Sequence, residues 1–94
     1  MLAIQKAEYI SDYKIQLAFN NGKNGIADLE QTLKKDSRTL FIELQNITNF
    51  QRFSLQNDTI VWPNGLDLAP EYLFYLAFIH ESQWQEQFQR WGYK

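Results

Sequence analysis

Apolar and polar residues alternate most regularly between residues 13 and 20. Every second position is apolar or aromatic, at Tyr13, Ile15, Leu17 and Phe19. The positions between them carry Lys14, Gln16, Ala18 and Asn20. A period of two residues is typical of a strand with one buried face and one face in water. The pattern therefore predicts a half-buried strand over Tyr13–Phe19.

Turn residues on both sides of this strand predict an antiparallel meander. Asn20-Asn21-Gly22 is a strong hairpin signal, and the returning strand is predicted over Lys23–Leu29, where Gly25 suggests a bulge. Leu2–Ile10 alternates less regularly but is also predicted as a strand, which ends at the turn pair Ser11-Asp12. The chain is thus expected to open with two or three antiparallel strands.

The segment between residues 30 and 62 contains weaker signals. Glu30–Ser37 is polar and is interpreted as one turn of helix or a loop. Thr39–Leu44 places apolar residues at helical spacing and predicts a short helix, which the residues Asn46–Asn49 should end. A second hairpin is predicted from the strand Gln51–Gln56, the turn Asn57-Asp58 and the strand Thr59–Trp62.

Residues 59–70 combine the end of a strand, a turn and the start of a helix. Pro63 cannot donate a ladder hydrogen bond, so the strand should end there, and Asn64-Gly65 suits a tight turn. Asp67 is a candidate N-cap for a helix that begins at Pro70. Two interpretations of Trp62, Asn64 and Asp67 are open. In the first, they line a recognition site. In the second, they are structural, with Trp62 in the core, Asn64 in the turn and Asp67 as the helix cap. We favour the second, because turn and cap chemistry accounts for these residue types.

The last predicted element is one long helix from Pro70 to about Trp91, with Gly92 as its C-cap. One stripe of this helix is mainly apolar and carries Leu73, Leu76, Ala77, His80, Trp84, Phe88 and Trp91. Phe74, Tyr75 and Phe78 face elsewhere and form a candidate interaction surface. A homodimer with these helices packed across a two-fold axis is the simplest way to cover it. Cover by the short helix Thr39–Leu44 is the alternative.

These elements predict a single α+β domain over residues 1–94. The sheet-rich part covers residues 1–66 and contains about five short, mainly antiparallel strands in two hairpins, with a short helix. The long C-terminal helix covers residues 70–91. No internal repeat, linker or change of composition divides the chain.

Charge and composition narrow the functional classes. The net charge is −2, whereas a protein that grips nucleic acid normally shows a basic excess, so no direct nucleic-acid binding is expected. The one basic cluster, Lys34-Lys35 with Arg38, is more typical of a solvated loop. The chain has no Cys, no signal-peptide pattern, and its longest apolar run, Tyr72–Ile79, is too short to cross a bilayer. We therefore expect a cytoplasmic protein that does not enter membranes.

No pattern typical of a catalytic or metal site occurs in the sequence. The only histidine, His80, lies on the apolar stripe, where a structural role is the expectation, and no nucleophile-elbow glycines surround a serine. The ligands of a zinc site and a phosphate-binding glycine pattern are both lacking. Asp28 and Asp67 are the carboxylate pair to inspect for acid–base chemistry. We expect no catalytic residue, metal or cofactor, and whether the protein is an enzyme stays open.

The run Ile60-Val61-Trp62-Pro63-Asn64-Gly65, followed by Asp67-Leu68-Ala69-Pro70, resembles the signature of the bacterial DUF2442 family, a domain of unknown function. The upstream residues fit the same family at Tyr13–Phe19, Asn21-Gly22, Asp28-Leu29, Leu44 and Phe50. The resemblance covers roughly residues 4–76 and implies an α+β domain with no established activity. Members of the family can carry a helix-turn-helix domain after it, or sit beside a small toxin-like protein. Here too little chain follows Pro70 for a helix-turn-helix, which argues against direct DNA binding.

Two functional hypotheses follow from the sequence and the resemblance. The first is a protein-interaction module, which could be the antitoxin-like, acidic partner of a small basic protein. It needs an exposed apolar surface, for which Tyr72–Ile79 is the candidate segment. The second is a small ligand-binding domain or enzyme that uses the turn between Trp62 and Asp67. It needs convergent polar groups in a pocket.

Overall fold

A three-stranded antiparallel sheet opens the chain. The computed structural model describes all residues from Met1 to Lys94. The strands β1 (Ile4–Ser11), β2 (Lys14–Phe19) and β3 (Asn24–Asp28) lie in the order β1-β2-β3. Tight turns join them, with positive φ at Asp12 and Gly22, as the turn residues predicted. The strand predicted from the period-two pattern is therefore confirmed.

A second, shorter hairpin packs beside the first sheet. Its strands are β4 (Ser54–Gln56) and β5 (Thr59–Val61), and both residues of the connecting turn, Asn57 and Asp58, have positive φ. A two-residue turn with positive φ at both positions matches the right-handed twist of the strands that it joins. The backbone N–H of Ile4 donates to the carbonyl of Asp58 at 2.8 Å and joins this hairpin to β1. The predicted α+β fold with two hairpins is confirmed.

Three short helices connect the two sheets. They are α1 (Glu30–Lys35), α2 (Thr39–Glu43) and α3 (Ile47–Phe50). The prediction of a short helix at Thr39–Leu44 is correct, but the asparagine-rich segment after it begins a helix instead of only ending one. The side chain of Asn46 accepts hydrogen bonds from the backbone N–H groups of Thr48 and Asn49, which is the usual chemistry of an N-cap.

The prediction of one long C-terminal helix is wrong. The segment divides into α4 (Pro70–Ala77), a short 3₁₀ turn (Ser82–Trp84) and α5 (Gln85–Trp91). The side-chain amide of Gln85 donates to the carbonyls of Ile79 and Glu81 at 3.0 and 2.8 Å. It thus provides hydrogen-bond donors for two backbone carbonyls where the helix is interrupted. Gly92 closes α5 with φ of +85°, as predicted.

The break lets α5 fold back onto α4 and complete an aromatic core. The ring of Phe88 lies 5.1 Å from that of Tyr75 and 6.4 Å from that of Phe74. Phe74 in turn packs edge-on against Phe19 of β2, with ring centroids 5.0 Å apart. The core therefore lies between one face of the β1–β2–β3 sheet and the helices, and the other face of the sheet carries no layer.

Phe74 and Phe78 lie in this core, so the prediction that they form an exposed surface is wrong. They are only 1% and 5% exposed. The ring of Phe78 rests on β3 so closely that a Cβ atom on Gly25 would lie 2.9 Å from it. Gly25 thus allows a helix to approach a regular strand, in which it pairs with Leu17, and the suggested bulge is not formed there.

Candidate functional site

The turn after β5 is a small closed loop. The backbone N–H of Trp62 donates to the carbonyl of Leu66 at 2.8 Å, and that of Gly65 donates to the carbonyl of Trp62 at 3.0 Å. Gly65 has φ of +93°, a conformation that costs glycine little. The loop therefore holds the residues between Trp62 and Leu66 in a fixed arrangement above α2.

Trp62 is part of the core and not of a recognition surface. Its side chain is 2% exposed and packs against the rings of Phe50 and Phe53 at 5.9 and 6.2 Å. Its indole N–H donates to the carbonyl of Phe50 at 2.9 Å, so the polar atom of the buried ring has a partner. The prediction of a largely buried Trp62 is confirmed.

Asn64 ties the turn to α2. Its amide donates to the carbonyl of Leu40 at 3.1 Å and to the carboxylate of Glu43 at 3.0 Å. Its side-chain oxygen accepts the backbone N–H of Leu66 at 3.0 Å. Both polar atoms of the side chain bond to the turn or to α2, which supports the structural interpretation of this residue.

Asp67 does not cap α4, so that prediction is wrong. The N-cap residue is Ala69, which makes no side-chain capping bond. Asp67 instead forms an isolated antiparallel bridge with Val61, which keeps it in extended backbone two residues too early to cap. Its side chain is exposed. Pro70 does lie at the start of the helix, as predicted.

A shallow cleft lies beside the turn, and sequence reasoning did not identify it. Its volume is ≈ 270 Å³, and it is lined by Glu43, Leu44, Asn49, Arg52, Pro63 and Asn64. The amide of Asn49 donates to the backbone carbonyl of Glu43, while Arg52 is exposed and makes no ion pair. In the sequence, only the nearby asparagines pointed to a polar region at this position.

The remaining sequence candidates for chemistry lie apart from the cleft. His80 is exposed in the connection after α4 and not on a buried stripe, because the helix ends before it. Asp28 accepts the backbone N–H of Glu30 at 3.0 Å beside the start of α1, whereas Asp67 belongs to the bridge beside β5. No group of three or more His, Asp or Glu residues is arranged to hold a metal ion.

Ion pairs neutralise most of the basic cluster around α1. Lys34 pairs with Glu30 at 3.3 Å, and Arg38 pairs with Asp36 at 2.7 Å. The hydrogen bond from Arg38 lowers the pKa of the Asp36 carboxyl, so that this pair stays charged. Lys35 is the cationic group of the cluster that makes no ion pair.

Of the three candidate interaction residues in α4 and at its C-cap, Tyr75 keeps some exposed surface. It is half-buried and stacks on Tyr93 with ring centroids 5.1 Å apart. Burial, and then the nearby Glu71 carboxylate, raise the pKa of the Tyr93 hydroxyl. This aromatic corner is packed largely against itself, so the part of Tyr75 that it leaves exposed is small.

The outer face of the β1–β2–β3 sheet is covered by no helix, and we call it the open face. Strand register places two rows of side chains on it, Glu8–Gln16–Ile26 and Lys6–Ala18–Asn24. A groove of ≈ 840 Å³ runs over this face. Leu55 of β4 lines the groove and is 40% exposed, and Ile26 is 48% exposed. The alternation in β2 predicted a face in water, but nothing in the sequence indicated that Leu55 would lie over it.

No helix has the length and apolar character that crossing a lipid bilayer requires. No curated protein matches the chain at a significant level. The crystal structure of a protein from Nitrosomonas europaea, NE0471, described as a putative DNA-binding protein, has a similar fold, with a TM-score of 0.71 and 11% sequence identity. The alignment covers 96% of the present chain and 61% of that protein, so the present chain spans less than two thirds of its length.

The sequence pattern of a family described as a protein of unknown function, DUF2442, matches residues 4–78. The matched residues include the whole β1–β2–β3 sheet, the second hairpin, the closed turn at Trp62 and helix α4. The match covers most of the chain and agrees with the resemblance that the Trp-Pro-Asn-Gly turn suggested. The chain therefore belongs to the DUF2442 family.

Proposed function

We propose that this protein is a protein-interaction module whose partner binds the open face. The observation that carries the proposal is that the helices pack on one side of the sheet only. Side chains on the other side, including Lys6, Glu8 and Gln16, are exposed. Leu55 and Ile26 add large apolar groups to this otherwise polar face, and interfaces between proteins commonly combine an apolar centre with a polar rim.

The partner that we propose is a small basic protein of the cytoplasm, which would make this chain the antitoxin-like, acidic member of a pair. The net charge of −2 supports a basic partner. The family resemblance supports the same class, since related domains can sit beside a small toxin-like protein. Direct binding of nucleic acid is not part of the proposal, because Lys34 and Arg38 are already paired with carboxylates.

Affinity capture from the native host tests this proposal with a matched pair of variants. Leu55 and Leu40 are 40% and 38% exposed, but Leu40 lies on α2, away from the open face. A basic protein in stoichiometric amount should copurify with the wild type and with Leu40→Lys. Leu55→Lys should lose it, because an added cation on the contact face repels a basic partner. Circular dichroism checks that both variants fold.

Two results would contradict the proposal. One is the absence of any stoichiometric protein in the wild-type capture. The other is equal retention by Leu55→Lys and Leu40→Lys, which would place the contact on another surface.

A second candidate function is the binding of a small anion in the cleft beside the turn. The free guanidinium of Arg52 favours it, since Arg recognises carboxylate and phosphate groups well. Ligands that bind the folded state raise the melting temperature by mass action. A panel of small carboxylates and phosphates should therefore stabilise the wild type and not Arg52→Ala. Equal shifts in both proteins, or none in either, would exclude this use of the cleft.

A further inference from the structure

The β1–β2–β3 sheet ends in an unpaired edge at β3. Backbone bonds from Phe19 to Lys23 and from Leu29 to Tyr13, both 2.9 Å long, fix which residues of β3 bond to β2. Because bonding groups alternate along an antiparallel pair, the N–H and C=O groups of the intervening residues 24, 26 and 28 point away from the sheet. No backbone hydrogen bond outside the regular elements uses these groups.

Lysine, proline and a bulge, which commonly protect a sheet edge, are missing from β3, a short strand in which Asp28 is the one charged residue. Natural edges carry lysine, proline or a bulge that blocks pairing with another chain. The segment Asn24–Asp28 has neither lysine nor proline, and its register with β2 is regular throughout. Its central residue, Ile26, is 48% exposed. At the opposite side of the sheet, by contrast, the second hairpin meets β1 through Asp58 and Ile4.

We propose that two copies of this chain associate edge to edge through β3, antiparallel, with the two-fold axis at Ile26. In this register Ile26 lies opposite the partner's Ile26, and Asn24 lies opposite the partner's Asp28. All three outward-facing residues then exchange bonds, about six in total. The Asn24 amide can donate to the Asp28 carboxylate across the seam, and two apolar side chains meet at its centre.

Other registers fit less well. A shift of two residues separates the two isoleucines, and a further shift in the same direction brings Asp28 against the partner's Asp28, where like charges repel. The central register is also the one that uses the whole strand. It joins the two sheets into one and places both open faces on the same side, so that the dimer would present a continuous surface. The inference does not depend on the proposed function.

Sedimentation equilibrium of three proteins tests this dimer. An edge contact of one short strand falls below about 1,200 Å² of buried surface, the size of weak complexes, so dimers should appear at roughly 100 µM and above. The wild type should approach twice the monomer mass there. Ile26→Lys should stay monomeric, because it adds a charge at the seam. Ile42→Lys, changed at a residue of α2 that is 50% exposed, should behave as the wild type.

A wild type that stays monomeric at millimolar concentration, or a dimer that survives Ile26→Lys, would overturn the inference. Circular dichroism shows whether each variant is folded.

Cysteine crosslinking gives a second, independent test, because the natural chain contains no Cys. Residues opposite each other in a bonded antiparallel pair have Cα atoms about 5.5 Å apart, within the range of a disulfide. Under mild oxidation Ile26→Cys should form a covalent dimer much faster than the exposed control Ile42→Cys. Equal rates for the two variants would contradict the proposed seam.

Discussion

Replacement of Trp62 by alanine tests the claim that the signature turn is built around a core residue. The indole is 2% exposed and contacts the rings of Phe50 and Phe53. Its N–H is the donor to the Phe50 carbonyl. Alanine removes the ring and that donor together, while the backbone bonds that close the turn involve no side-chain atom of Trp62.

The expected loss of unfolding free energy is large for a chain of this size. Truncation of a buried large aromatic costs about 3–5 kcal/mol, and leaving a buried carbonyl without its donor adds about 1 kcal/mol or more. For a chain of 94 residues the total stability expected is roughly 5–14 kcal/mol. Trp62→Ala should therefore remove much of the free energy of unfolding and leave a marginally stable protein.

Urea unfolding followed by far-ultraviolet circular dichroism measures this loss without relying on tryptophan fluorescence. Trp62→Phe is the matched control, because it keeps an aromatic ring in the site but removes the hydrogen bond, and it should lose less than alanine does. A loss below about 1 kcal/mol for Trp62→Ala is the size expected of a surface residue. It would refute the core assignment and favour a recognition role.

Three other changes test separate parts of the fold. Gly25→Ala should cost about 1–3 kcal/mol in urea unfolding, because the added methyl meets the ring of Phe78; an unchanged midpoint would show that α4 does not sit so close to β3. Asn64→Ala should lower the free energy of unfolding by about 1–3 kcal/mol, since it removes the bonds that hold the turn to α2. An unchanged unfolding midpoint would mean that the turn keeps its conformation without these bonds. Burial raises the pKa of Tyr93 above its ordinary value of 10.0, so the folded state favours the neutral ring and loses stability as the pH rises above about 10. Tyr93→Phe should flatten that decline in unfolding midpoints measured from pH 8 to 11, and an equally steep decline would contradict this assignment.

Local sequence signals predicted the sheets well because their causes are local. The alternation at Tyr13–Phe19 arises because one face of the strand is buried and the other is in water. Asn21-Gly22 and Asn57-Asp58 favour the backbone conformations that tight turns require. The structure places strands and turns at these positions. The same reasoning identified the burial of Trp62 and the C-cap at Gly92.

The C-terminal region could not be predicted in the same way, because tertiary packing decides it. A helical wheel assumes one continuous helix, and no Gly or Pro between Phe78 and Glu81 marks the break. The break goes with a contact distant in sequence, since Phe88 packs back on Phe74. The nearby Gln85 side chain then bonds the carbonyls of Ile79 and Glu81. Once the helix is divided, the predicted exposed surface on α4 becomes part of the core. The alternation in β2 predicted a face in water, but the contribution of Leu55 to the groove on that face depends on how the second hairpin packs beside β1.

The central claim is that the partner lies on the open face, and a lysine footprint of the captured complex tests it most directly. Lys6 lies on that face, whereas Lys35 is the last residue of α1 on the helical side, and both are exposed in the free chain. Acetylation rates of each lysine, read by mass spectrometry in the free protein and in the complex, give the result. We expect strong protection of Lys6 and an unchanged rate at Lys35. Full reactivity of Lys6 in the complex, with protection at Lys35 instead, would contradict the account.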